Sequence, residues 1–153
     1  MTQAVTFEDA GLDQWTDEEI FEVTAERIAQ YAAATNDPIE AHVAGAIAPP
    51  VFAVVPTFMS MAPSALGVAP VDLLGKLVHG EQDFHFHQPI KPGDTLTCRA
   101  KATGYASLRT GSTVVLYTET KHQRGELVNE QRTPAFFRGD DAGPNAGEHA
   151  PGP

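Results

Sequence analysis

Residues able to bind a cation or move a proton alternate along one stretch of the chain: His79, Glu81, Asp83, His85 and His87. In an extended strand, side chains two positions apart share a face, so this spacing predicts that all of them point to one side. Imidazole and carboxylate together make the donor set of a zinc-type site. Ligands two apart on a single strand form a row, however, and a row does not surround an ion. The same alternation describes a solvated face opposite Phe84 and Phe86. No metal is therefore expected. Cys98, the only cysteine, has no partner for an internal disulfide. It lies in an apparent strand, TLTCRA, where a small buried hydrophobe is the expected role. A third group, Asn36-Asp37-Pro38, carries the turn chemistry that ends a helix, because proline disfavours helix in the residue before it.

The elements that must hold these residues follow from periodicity. Apolar and acidic residues alternate from Ile20 to Val23 as in a strand. Thr24 then stands as an N-cap before Ala25, Glu26 and Arg27, which predicts a helix over 25–34 carrying Ile28, Tyr31 and Ala32 on one side. The run IAPPVFAVVPTFMSMAPSALG is densely apolar and predicts a long buried helix beginning after Pro49-Pro50, in spite of Pro56. Small residues along it, Ala53, Ala62, Ala65 and Gly67, leave room for a pocket. Three β-rich runs follow, at 76–88, 95–108 and 112–138, the last split by a turn at 123–126. Turn residues at Lys91-Pro92-Gly93-Asp94 and Arg109-Thr110-Gly111 punctuate them, as in an antiparallel meander. The fold class is α+β.

Around this body, residues 1–19 form an acidic lead-in with a single Trp15, and residues 20–138 form one domain. Residues 139–153, GDDAGPNAGEHAPGP, have almost no apolar side chains and are expected to be a flexible linker or tail. The chain has 153 residues, about the size of one domain, and a net charge of −10, which disfavours nucleic-acid partners. No apolar run approaches the roughly 20 residues needed to span a bilayer, so no membrane is expected. The first residues, MTQAVTFEDAG, lack the basic start and apolar stretch of a signal peptide, and a cytoplasmic location is expected.

Specific motifs narrow the function. Leu77-Val78-His79-Gly80-Glu81-Gln82, followed by His87-Gln88-Pro89-Ile90-Lys91-Pro92-Gly93-Asp94-Thr95, resembles the LHGEQ…RPLxPGDT signature of MaoC-like enoyl-CoA hydratases and their dehydratase relatives. Ala48-Pro49-Pro50-Val51-Phe52 is similar to the APPTF entry to their central helix, and Ala135-Phe136-Phe137-Arg138-Gly139 to their last strand. The resemblance spans about 20–139 and implies a hot-dog fold, a long antiparallel sheet wrapped around one apolar helix. It points to the N-terminal half of the two-half members, which accommodates the acyl chain and usually lacks the catalytic pair.

That resemblance implies a coenzyme A thioester as substrate, no cofactor, and a second hot-dog as partner, either a catalytic MaoC-like chain or a copy of itself. The chain stops where a second half would begin, so it reads as a fragment or as a subunit. Pro50, Phe52, Val55, Phe58, His79 and Gly80 become the candidate substrate-binding residues, with plain core packing the competing role for the helix positions and a strand bulge or close backbone approach the competing role for Gly80. In the family an Asp and a His five residues later share the proton work, and Asp37 and His42 have that separation. The surroundings depart from the family's GDxNPxH, since aligning on Pro38 puts Glu40 where the His belongs. A self-sufficient homodimeric hydratase using Asp37 and His42 is thus the alternative, and a hot-dog thioesterase a further one.

Overall fold

The computed structural model describes residues 6–139 and 145–148. Strand β1 is Glu19–Glu22, and helix α1 is Ala25–Ala34, capped by Thr24, whose hydroxyl accepts from the Arg27 amide at 3.1 Å. A short helix α2, Glu40–Val43, precedes a 3-10 turn at Pro50–Ala53 that runs into the long helix α3, Val54–Leu66. Pro50 opens that turn and Pro56 falls in the first turn of α3, where a missing N–H breaks no helical bond. Strands β2, Leu77–His79, and β3, Asp83–Phe86, are followed by the long β4, Thr95–Leu108, β5, Gly111–His122, and β6, Leu127–Arg138.

The sheet runs β1-β4-β5-β6-β2, all antiparallel, with β3 also on β6. It curls over α3, which turns Thr57, Ser60, Met61, Ser64 and Ala65 inward. One apolar cluster joins Met61, Ala65 and Val68 to Val114, Leu116 and Phe137; the other joins Ile28 and Phe52 to Leu96, Cys98 and Val128. Cys98 is fully buried, and burial pushes its thiol up to about 11, as expected of a packing residue.

The 76–88 run is two strands. Leu77 pairs with Phe137 and His79 with Ala135, but Asp83 pairs with Arg132 and Phe86 with Asn129. Residues 80–82 therefore oppose only Thr133 and Pro134, which makes a bulge. Pro134 has no N–H for the ladder, and a bulge is where a strand tolerates that. The bulge overturns the expectation of one shared face: His79 lies on the side of Ala135 and α3, while His85 and His87 lie on the opposite side with Glu130. An extra residue shifts the side-chain alternation by one.

The acidic lead-in is packed against the sheet. Phe7 is buried against Tyr105 and Phe137, and the amides of Asp13 and Thr16 donate to β4 carbonyls at 2.8 Å. Beyond β6, a two-residue strand β7, Ala146–Gly147, pairs with Gly104 and Tyr105. The remainder of the expected linker, 140–144 and 149–153, lies outside the described residues.

Candidate active site and substrate face

The Asp37–His42 corner is built by the way α1 stops. Asn36 takes a left-handed φ of 53°, and the amides of Asn36 and Asp37 turn back to the carbonyls of Ala33 and Ala32 at 3.3 and 2.9 Å. This is a Schellman ending, with asparagine in the position that tolerates positive φ. It aims the Asp37 carboxylate at the start of α2. Oδ1 accepts from the Ile39 amide at 2.9 Å, and Oδ2 accepts from Nδ1–H of His42 at 2.7 Å.

Both side chains are largely shielded, 15% and 12% exposed. The Ile39 amide first, and then His42, hold the Asp37 carboxyl below its ordinary range. With Nδ1 committed to Asp37, the lone pair of His42 sits on Nε2. His42 borders an apolar groove of about 380 Å³ shared with Pro49, Pro50, Phe86 and Ile90. The corner is thus an oriented imidazole, able to take or give one proton at Nε2, with both oxygens of its carboxylate partner already bonded.

His79 belongs to a different neighbourhood. It lines a hollow of about 240 Å³ with Phe58, Met61, Ala62, Leu116 and Ala135. Its Nε2 meets Gln82 Oε1 at 2.8 Å, Gln82 donates to Gln131 at 2.6 Å, and Gln131 donates to the Ala53 carbonyl and to Asn129, both at 2.9 Å. Thr133 also donates to Gln82, at 2.8 Å. A polar strip therefore runs from the bulge, under the sheet, to the start of α3. Sequence reasoning missed Gln82, Asn129, Gln131 and Thr133; the available signal was polar residues on the inward positions of β6, where apolar ones belong.

Of the remaining candidates, Pro50 joins the His42 groove, while Phe52 is buried edge-on between Phe21 and Tyr31 as a core residue. Val55 and Phe58 stand on the outer side of α3, 36% and 65% exposed. Gly80 sits in the bulge with no atom closer than 3.7 Å to where a Cβ would be, so no tight approach demands glycine there. The structure thus brings Pro50 to His42 and Phe58 to His79, around two separate depressions.

An antiparallel sheet closed over one central helix is the arrangement of a hot-dog protein. The family model described as "FAS1-like, dehydratase domain region" matches residues 12–131. A UPF0336 protein of Thermobifida fusca strain YX is 33% identical over 135 residues, covering 80% of this chain and 87% of that protein. Among solved structures, a MaoC-like dehydratase from Phytophthora capsici superposes with a TM-score of 0.70 at 18% identity, over 94% of this chain and 53% of its own. The truncated HadBC (3R-hydroxyacyl-ACP dehydratase) complex of Mycobacterium tuberculosis gives 0.60 at 21% identity, over 86% and 93%. The chain belongs to the MaoC-like hot-dog family, as a FAS1-like dehydratase region. No helix among the described residues is long and apolar enough to cross a membrane.

Proposed function

We propose that this chain is the acyl-thioester-binding hot-dog of an enoyl-CoA hydratase or dehydratase, acting beside a second hot-dog that carries the main proton-transfer residues. The observation that supports it is the outer side of α3 and its entry turn, where Val51, Phe58 and Met59 are 54%, 65% and 67% exposed and Val55 lies between them. A run of large apolar side chains on one helix face is a surface made to be covered. Small Ala62 and Ala65 beside Phe58 open the apolar hollow of about 240 Å³ under it. The two-subunit assemblies named HadBC and ChsH1-ChsH2 among the structural neighbours suit a paired arrangement. Hydration adds water across the C2–C3 double bond of the thioester: a base takes a proton from water as it attacks C3, and an acid protonates C2. No cofactor is required.

A second reading rests on the 2.7 Å contact between Asp37 and His42. In it His42 Nε2 takes a proton from the water that attacks C3 and returns it to C2, while Asp37 keeps the ring oriented, and the chain acts as a homodimer. The purified chain, given a short trans-2-enoyl-CoA and followed by loss of the conjugated absorbance, decides between them. The first reading expects saturable acyl-CoA binding and no turnover until a catalytic MaoC-type chain is added. Turnover by the chain alone that disappears in His42→Ala would replace it with the second.

A further inference from the structure

The side of the sheet turned away from α3 carries a cluster that neither reading uses. His85 on β3, His87 just beyond it and Glu130 on β6 bring one donor atom each to within 4.8 Å of one another. The backbone fixes them: His85 pairs with Glu130 in the ladder, and the His87 amide donates to the Val128 carbonyl at 2.9 Å. The rings of His85 and His87 are 4.5 Å apart, and His87 Nε2 is 2.9 Å from Glu130 Oε2. The Tyr117 hydroxyl, on β5, donates to the other carboxylate oxygen of Glu130.

We propose that His85, His87 and Glu130 form a binding site for one divalent transition-metal ion of the zinc class on this outer face. Two imidazoles and a carboxylate are a zinc donor set, and they leave a further coordination position for water. Ligand atoms bonded to one zinc at about 2.1 Å in tetrahedral geometry stand about 3.4 Å apart. The present spacing, within 4.8 Å, thus closes onto an ion when the ligand atoms draw together by up to about 1.4 Å. The strand taken alone offered only a row of ligands; β6 supplies the carboxylate that turns the row into three sides of a cage. Tyr117 is the outer-shell partner that orients it. A net charge of −10 favours accumulation of cations near the surface.

The tag-free chain, stripped with a chelator, is titrated with Zn²⁺ by calorimetry and with Cu²⁺ by quenching of Trp15. That residue is the only tryptophan, and its ring lies 5.9 Å from Tyr117. One ion per chain is expected to bind in both titrations. His85→Ala and His87→Ala should each weaken binding at least tenfold while the circular dichroism stays native. Tyr117→Phe should weaken it about tenfold with all ligands kept. His122→Ala should leave it unchanged. Absence of saturable binding, or unaltered binding in folded His85→Ala and His87→Ala, overturns the site. The readout involves no turnover, so it stands or falls apart from the acyl-thioester reading.

Discussion

The two polar neighbourhoods under the helix side differ in how the chain makes them. The Asp37–His42 corner spans five residues and is held by one helix ending, one carboxylate and one amide. The His79–Gln82–Gln131–Ala53 strip spans up to 78 residues and exists only once β2, β3, β6 and the entry of α3 are assembled. A local corner can tune a proton without the core depending on it. The inner end of the strip, Asn129, Gln131 and Thr133, is buried in the core, where leaving a donor or acceptor unpaired costs about 1–3 kcal/mol.

The largest expected effect therefore falls on the strip. Gln131→Ala removes the bonds to the Ala53 carbonyl, to Asn129 Oδ1 and from the Gln82 amide and leaves a cavity, so urea unfolding should show a loss of about 3 kcal/mol. A loss below about 1 kcal/mol would erase the contrast between core strip and local corner. Next comes the corner's backbone: Asn36→Ile forces a β-branched residue to a φ of 53° and should cost about 1–2 kcal/mol in the same measurement.

The charge of the corner should appear in pH dependence rather than in depth of stability. The Asp37 carboxyl is lower in the folded chain than its ordinary 3.8. Its stabilisation is therefore present above about pH 4 and lost as the pH falls through the depressed folded value. Asp37→Asn should flatten that acid limb of the unfolding profile; an unchanged limb means the pair with His42 is not formed in solution. Smallest of all, Gly80→Ala should stay within about 0.5 kcal/mol of the parent, because the bulge leaves space for a methyl group. A larger loss would mean that the bulge end of the strip is tighter than the structure shows.

Local signals were the legible ones. The α1 boundaries, the Thr24 cap and the stop at Asn36-Asp37-Pro38 are all written within a few residues, and the structure reproduces them. The long strands β4, β5 and β6 follow the predicted runs, because alternation sustained over 12 or more residues is hard to mistake. Gly80 inside a strand run is a signal for a bulge, but the change of face it causes could not be read, since that depends on which β6 residues stand opposite. With it went the true sides of His79 and His85, and the partnership of Gln82 with Gln131. Phe7 escaped notice because a lone aromatic in an acidic segment has no periodicity to place it. Phe52 and Phe58, alike in type and six residues apart, have opposite fates, one in the core and one facing outward.

Strand β4 has a consequence for how many neighbours the chain can take. One of its margins is lined almost end to end: β1 covers Thr95–Cys98, the lead-in bonds to the carbonyls of Ala100 and Ala102, β7 covers Gly104 and Tyr105, and Asn145 accepts from the Ser107 amide. Among the described residues, the opposite margin, formed by β2 and β3, has no strand beyond it. Among the described residues the sheet therefore ends in two short edges of different make, the four-residue β1 on one side and β2 and β3, broken by the bulge, on the other, and neither offers a long flat edge to a further strand.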